Sequence, residues 1–130
     1  MIVVDAGVLI AYLDRSDAHH QRATALLQEQ AEDGFATSPI TMAEVLVGPV
    51  REGAGETIMN RLAQIPIGTV ELGTDAPLRL ATLRARTALR MPDCCVLLAA
   101  EQVSARVLTF DHRLAGAAVG RGLRVIPTEP

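Results

Sequence analysis

Lysine is missing from this chain of 130 residues, so all 12 of its positive side chains are arginines. Schiff-base chemistry and a lysine-based phosphate loop are therefore excluded. What remains is a cation that keeps its charge and grips phosphate through paired hydrogen bonds. Tryptophan is also missing, and aromatic residues make up only 2% of the chain, as Tyr12, Phe35 and Phe110. So few rings argue against an aromatic platform for stacking nucleic-acid bases. The 2 cysteines, Cys94 and Cys95, are direct neighbours, a spacing that suits neither a zinc site nor a disulfide framework. They read as reduced, buried, small apolar residues of a cytoplasmic protein. No basic stretch leads into a long apolar run at the N-terminus, and no apolar run approaches a membrane span. A soluble, unprocessed protein with no membrane partner is the expectation. Positive charge is not in excess either: the net charge of −3 and a pI near 5.5 argue against a passive nucleic-acid binder. They leave room for an enzyme that draws a cation into an acidic site.

Against these absences stands a chain that is 49% hydrophobic and 21% charged, the balance of one globular domain over 1–130 with a real core. Ile2, Val3 and Val4 form a β-branched apolar run with no alternation, the pattern of a strand buried on both faces. Ala6 to Leu13 reads as an apolar helix, and Asp14 to Asp17 as a turn. His19 to Asp33 is expected as a helix with Ala23, Leu26, Leu27 and Ala31 on one face, ended by Gly34. Phe35 to Thr37 is a second strand, and Ser38-Pro39 opens a helix reaching Gly48-Pro49. Glu56 to Ile65 is a helix, Ile67 to Leu72 a third strand, and Thr74 to Leu89 a long helix with Leu78, Ala81, Ala85 and Ala88 on one side. Pro92 marks a fresh helix start, and Asp93 to Val103 is apolar nearly all round until Glu101, hence buried. Arg106 to Thr109 is a fourth strand, Asp111 to Val119 a helix, and Leu123 to Ile126 a last strand closed by Pro127. Strands alternating with helices predict a doubly wound α/β domain.

Carboxylates stand at several helix starts. Asp5 falls between the first strand and its helix, where one reading is a plain N-cap. Glu44 reads as lying in the first turn of its helix, in a Thr41-x-x-Glu44 capping box. Asp93 follows Pro92 in a first turn, where the helix dipole favours an acid, and Asp111 in TFDHRL suits an N-cap. In a parallel doubly wound sheet, strand ends and the helix starts that follow share one edge, so Asp5, Glu44 and Asp111 should face one crevice. The pattern alone does not place Asp93, whose helix follows another helix. A helix dipole offers roughly 0.3 to 1 kcal/mol per carboxylate, whereas two like charges about 4 Å apart repel by roughly 4 kcal/mol at an effective dielectric near 20. Gathering acids is thus no stability device. It makes sense around a divalent cation, and oxygen donors without His or Cys suit Mg2+ or Mn2+ over zinc.

Taken together, VVDAGVLIAYLD at the start, TMAEVLVGP in the first third, and RMPDCCVLLAAE and VLTFDHRLA near the end resemble a PIN domain in order, spacing and apolar surroundings. More narrowly, the chain resembles a VapC-type ribonuclease toxin of a bacterial toxin–antitoxin pair, over essentially its whole length. The resemblance implies an α/β/α sandwich around a central, mainly parallel five-stranded sheet, and Mg2+-dependent hydrolysis of RNA phosphodiester bonds. It also implies a homodimer and a small VapB-like antitoxin that wraps the toxin and blocks the acidic groove. Asp5 and Asp93 would be the principal metal ligands and Asp111 would complete the cluster. Glu44 would hold or deprotonate a water on the metal, and Thr109 matches the small hydroxyl residue usual two places before the last acid. The chain departs from many relatives in having Ala6 after the first aspartate in place of Ser or Thr. Nor do His112, Arg113 and Leu114 offer a further acid, so one well-held metal fits better than two.

Arg86 and Arg90, one helical turn apart and leading toward Asp93, and Arg113 beside Asp111 are candidates to hold the RNA backbone; the alternative for each is a solvated arginine face. His19-His20 reads as a polar helix entrance, because nothing in the sequence pairs with it. Asp14, Asp17, Glu71, Asp75 and Glu101 read as turn, cap or surface acids. Selectivity is expected to rest on RNA shape and backbone contacts. Two other classes compete. A phosphoacceptor signalling domain also clusters acids at strand ends but needs a lysine near its last strand. A catalytically silent partner-binding domain has no use for four acids.

Overall fold

A computed structural model describes residues 1–127; residues 128–130 of the expected 1–130 domain lie outside the described residues. Its sheet is built on β1 (Ile2–Val4), flanked by β2 (Phe35–Thr37) and β4 (Arg106–Leu108), with β3 (Ile67–Thr69) and β5 (Val125–Ile126) at the edges. The order is β3-β2-β1-β4-β5 and every pairing is parallel. Ile2 stands opposite Phe35 on one side and Arg106 on the other, so the central strands end level. Their carboxyl ends form one edge. The chain turns from β1 toward β2 on one side and returns to β4 on the other. That reversal falls between β1 and β4, where an open parallel sheet leaves a crevice.

Pairing on both sides explains the unbroken apolar run. Ile2 and Val4 enter one core cluster and Val3 the other, all at 0% exposure. The first cluster, with Phe35 and Leu108, is covered by α1 (Ala6–Leu13), α2 (His20–Glu29), α3 (Pro39–Arg51) and α4 (Gly55–Leu62). The second, with Ala36 and Val107, is covered by α5 (Ala76–Arg86), α6 (Met91–Val103) and α7 (His112–Gly120). The expected sandwich is therefore present. In α6 every residue from Cys94 to Ala100 is buried, which fits its all-round apolar sequence. It packs on β1 and β4 and also touches α3.

Three expectations are corrected. The helix after His19 stops at Glu29, followed by a tight 3-10 turn at Ala31–Asp33, and Gly34 then takes the left-handed φ of 74° that only glycine adopts without strain. The helix begun at Pro39 does not end at Gly48-Pro49 but runs on to Arg51. Proline there lacks the N–H that would bond to the turn before it, and the helix ends soon after it, at Arg51. In α5 the buried residues are Ala76 and Leu83, with Leu80 partly buried, while Leu78 is 75% exposed. Alanines complete a helical stripe on either side of this segment, so spacing does not choose the face; the large Leu83 does.

Candidate functional site

Asp5 follows β1 directly and caps α1, its Oδ1 accepting from the Val8 backbone N–H at 2.9 Å. The capping role is real, yet it uses one oxygen. Asp5 is only 8% exposed, and its other oxygen accepts the hydroxyl of Thr109 at the end of β4. Thr109 Oγ1 in turn accepts from the Asp111 backbone N–H at 3.0 Å. One buried hydroxyl thus sets the positions of two acids across the crevice. Asp111 caps α7 with Oδ1 alone, accepting from the backbone N–H groups of Arg113 and Leu114.

Glu44 has no capping role. The N-cap of α3 is Ser38, whose Oγ accepts from the Thr41 backbone N–H at 3.0 Å. The expected Thr41–Glu44 box is not formed, because Pro39 starts the helix earlier and leaves Glu44 beyond the first turn. Asp93, which the sequence pattern left unplaced, is brought to the same edge because α6 lies across the sheet against α3.

The four carboxylates, carried by four different segments, line one cavity of about 420 Å3 with Gly7, Asp17, His19, Arg90 and Phe110 among its other walls. Their electrostatics are shared. Burial pushes the Asp5 carboxyl up, and Asp111 and Asp93 push it further, against the bonds from Thr109 and Val8. Burial and Asp93 likewise raise Glu44, with Arg90 opposing. Among the described residues no three Asp, Glu, His or Cys side chains close around a common point. The acids line one space without closing on a point, and like charges so gathered repel one another.

A hard divalent cation suits this donor set, which offers carboxylate oxygen and no nitrogen or sulfur among the acids. Gly7 keeps the wall open beside it: a Cβ there would stand 3.6 Å from Asp5 Oδ1. Cys94 and Cys95 are unpaired and buried, as expected, and burial raises both thiols.

Of the candidate arginines only Arg90, the N-cap residue of α6, lines the cavity. Arg86 ends α5, and Thr87 then leaves the helix with φ of −125°, so Arg86 and Arg90 do not share a helix. The Arg113 guanidinium donates to the Ala88 carbonyl at 2.6 Å, tying α7 to the loop before α6. The reading of the sequence missed His19 and Asp17, which α1–α2 packing delivers to the rim. For Phe110 there was a signal, its place directly before Asp111.

A family profile described as PIN domain matches residues 2–120. Ribonuclease VapC39 of Mycobacterium tuberculosis is 30% identical over 132 positions, covering 89% of this chain and 92% of its own. Among solved structures, Mycobacterium tuberculosis VapC20, described as a toxin that cleaves the sarcin-ricin loop, matches with a TM-score of 0.76 at 16% identity, over 90% of this chain and 95% of its own. A toxin–antitoxin complex from Klebsiella pneumoniae gives 0.72 at 23% identity and covers 100% of both chains. At such identities the structural likeness speaks for the fold.

Proposed function

The chain belongs to the PIN domain family and is a VapC-type ribonuclease, and on that premise we propose that it hydrolyses RNA phosphodiester bonds in the cavity lined by Asp5, Glu44, Asp93 and Asp111, with Mg2+ as cation and Mn2+ as a substitute. The observation that carries this reading is the meeting of four carboxylates from separate segments at the β1–β4 edge. The chemistry supplied by a bound divalent ion is polarisation of the phosphate, acidification of water and neutralisation of developing charge. Asp5, Asp93 and Asp111 hold that ion. Asp5 is already fixed by Val8 and Thr109, so little side-chain freedom is lost on binding. Glu44, raised by burial and faced by Arg90, is the group proposed to take up a proton at the nucleophile. Arg90 contacts the RNA phosphate nearest the cut, with Arg86 and Arg113 as outer backbone contacts.

The same proposal extends to partners. The chain acts as the toxin of a pair, as a homodimer, and is held inactive by a VapB-like antitoxin covering the acidic cavity. Among the described residues no helix is long and apolar enough to cross a membrane, and the reaction is assigned to the cytoplasm. A phosphoacceptor domain is disfavoured because there is no lysine to serve it.

The test is Mg2+-dependent cleavage of a mixed RNA pool by the wild type beside Asp5→Asn and Asp93→Asn. Both variants should lose roughly a hundredfold or more of the rate. Equal cleavage by the variants, or none by the folded wild type with divalent metal present, overturns the reading.

A further inference from the structure

With so few rings in the chain, base stacking was not expected, yet one of them is built into the rim of the acidic cavity. Phe110 lies directly before Asp111 and lines the cavity with His19. The two rings are stacked, with centroids 5.0 Å apart and planes inclined by 30°. The Arg22 guanidinium sits 4.9 Å from the centre of the Phe110 ring. Phe110 is half-buried against the core while His19 and Arg22 are exposed. The backbone that carries the ring is pinned: the His19 N–H donates to Asp17 Oδ1 at 2.8 Å, and the next residue, His20, is hydrogen-bonded through Nδ1 to the Ala11 carbonyl at 2.9 Å. The result is an exposed imidazole in the wall of the acidic cavity, with a phenyl ring packed against it.

We propose that His19, backed by Phe110, is the stacking surface for one nucleobase of single-stranded RNA beside the scissile phosphate, and that this contact gives the enzyme its preference at that nucleotide. This deepens the nuclease reading and rests on it. Every base has a π-face, so such a surface accepts all four, with purines ahead of pyrimidines because they overlap more of the ring. Arg22, held over Phe110, adds a positive charge beside the acidic cavity, a second one to Arg90 in its wall, for the neighbouring phosphate. His19 therefore works by orienting substrate and is a positioning residue for the cut.

Two measurements test this. The chain has 3 histidines, so the ring protons of His19 are resolvable in a carbon-correlated NMR spectrum once assigned with His19→Ala. Titration with adenosine monophosphate should shift them upfield by ring current, and ribose 5-phosphate should not. In cleavage of a mixed-sequence RNA pool, His19→Ala should raise KM by roughly 5- to 100-fold with kcat little changed and should flatten the base preference at the cut. His19→Phe, which keeps the ring and loses the ionisable nitrogen, should restore both. The proposal falls if adenosine monophosphate leaves the His19 protons unmoved, if ribose 5-phosphate moves them equally, or if His19→Phe behaves as His19→Ala. A wild type that cleaves no RNA while adenosine monophosphate still shifts His19 sinks the nuclease reading and leaves the base site standing.

Discussion

Thr109 donates its hydroxyl to Asp5 across 104 positions of sequence, and in doing so joins the ends of β1 and β4 beneath the acidic cavity. The same oxygen receives the Asp111 backbone N–H. Replacing Thr109 with Val keeps the shape and removes both bonds. It leaves a buried carboxylate short of a donor, a loss of about 1–3 kcal/mol, and it raises the Asp5 carboxyl further, because that bond is one of the two holding it down. Thermal unfolding should show the lower stability, and the acid limb of the pH–rate profile should move to higher pH. Thr109→Ser should behave as wild type.

The raised Asp5 carboxyl also predicts how stability follows pH. A carboxyl whose folded pKa lies above its unfolded value is costly to the fold when ionised. That cost is in force above the folded pKa and fades as pH falls through it. Asp5→Asn should therefore unfold at a higher temperature than wild type at neutral pH in chelator, with the gap closing in acid. Added Mg2+ should stabilise the wild type by about 2.7 kcal/mol at a hundred times its Kd and the variant far less. Unfolding scans across pH, with and without metal, read both effects.

Gly7 stands in α1 beside Asp5, where a methyl group meets the carboxylate at ordinary contact distance. Gly7→Ala should gain up to about 1 kcal/mol from helix propensity while narrowing the cavity beside the Asp5 carboxylate. If Asp5 holds the ion as proposed, the expected result is a more stable protein that cuts RNA more slowly. Increased or unchanged cleavage would show that this wall does not border the reacting groups.

The two leucines of α5 separate its faces. Leu83 is 3% exposed and Leu78 is 75% exposed. Leu83→Ala should cost about 2–5 kcal/mol, and Leu78→Ala should stay within about 0.5 kcal/mol, as read from denaturant midpoints.

Ser38→Ala should cost about 1 kcal/mol, because Ser38 caps α3. Glu44→Gln should leave stability in chelator unchanged or improved, since Glu44 caps nothing and burial disfavours its charge. A large stability loss from Glu44→Gln would return that residue to a structural role.

The sequence by itself determined the alternation of strands and helices, the doubly buried β1, the all-apolar α6 and the acids at the ends of β1 and β4, because apolar patterning and the strand-to-helix switch are local. It could not choose the face of α5, where alanines fit either stripe, nor discard the Thr41–Glu44 box, although Ser38-Pro39 already marked the start of α3. Nor could it place Asp93 beside Asp5, or His19 against Phe110. Those meetings depend on α6 crossing the sheet to reach α3 and on α2 folding back over α1. Only tertiary packing decided them, because it alone sets the distance between residues that no local rule connects.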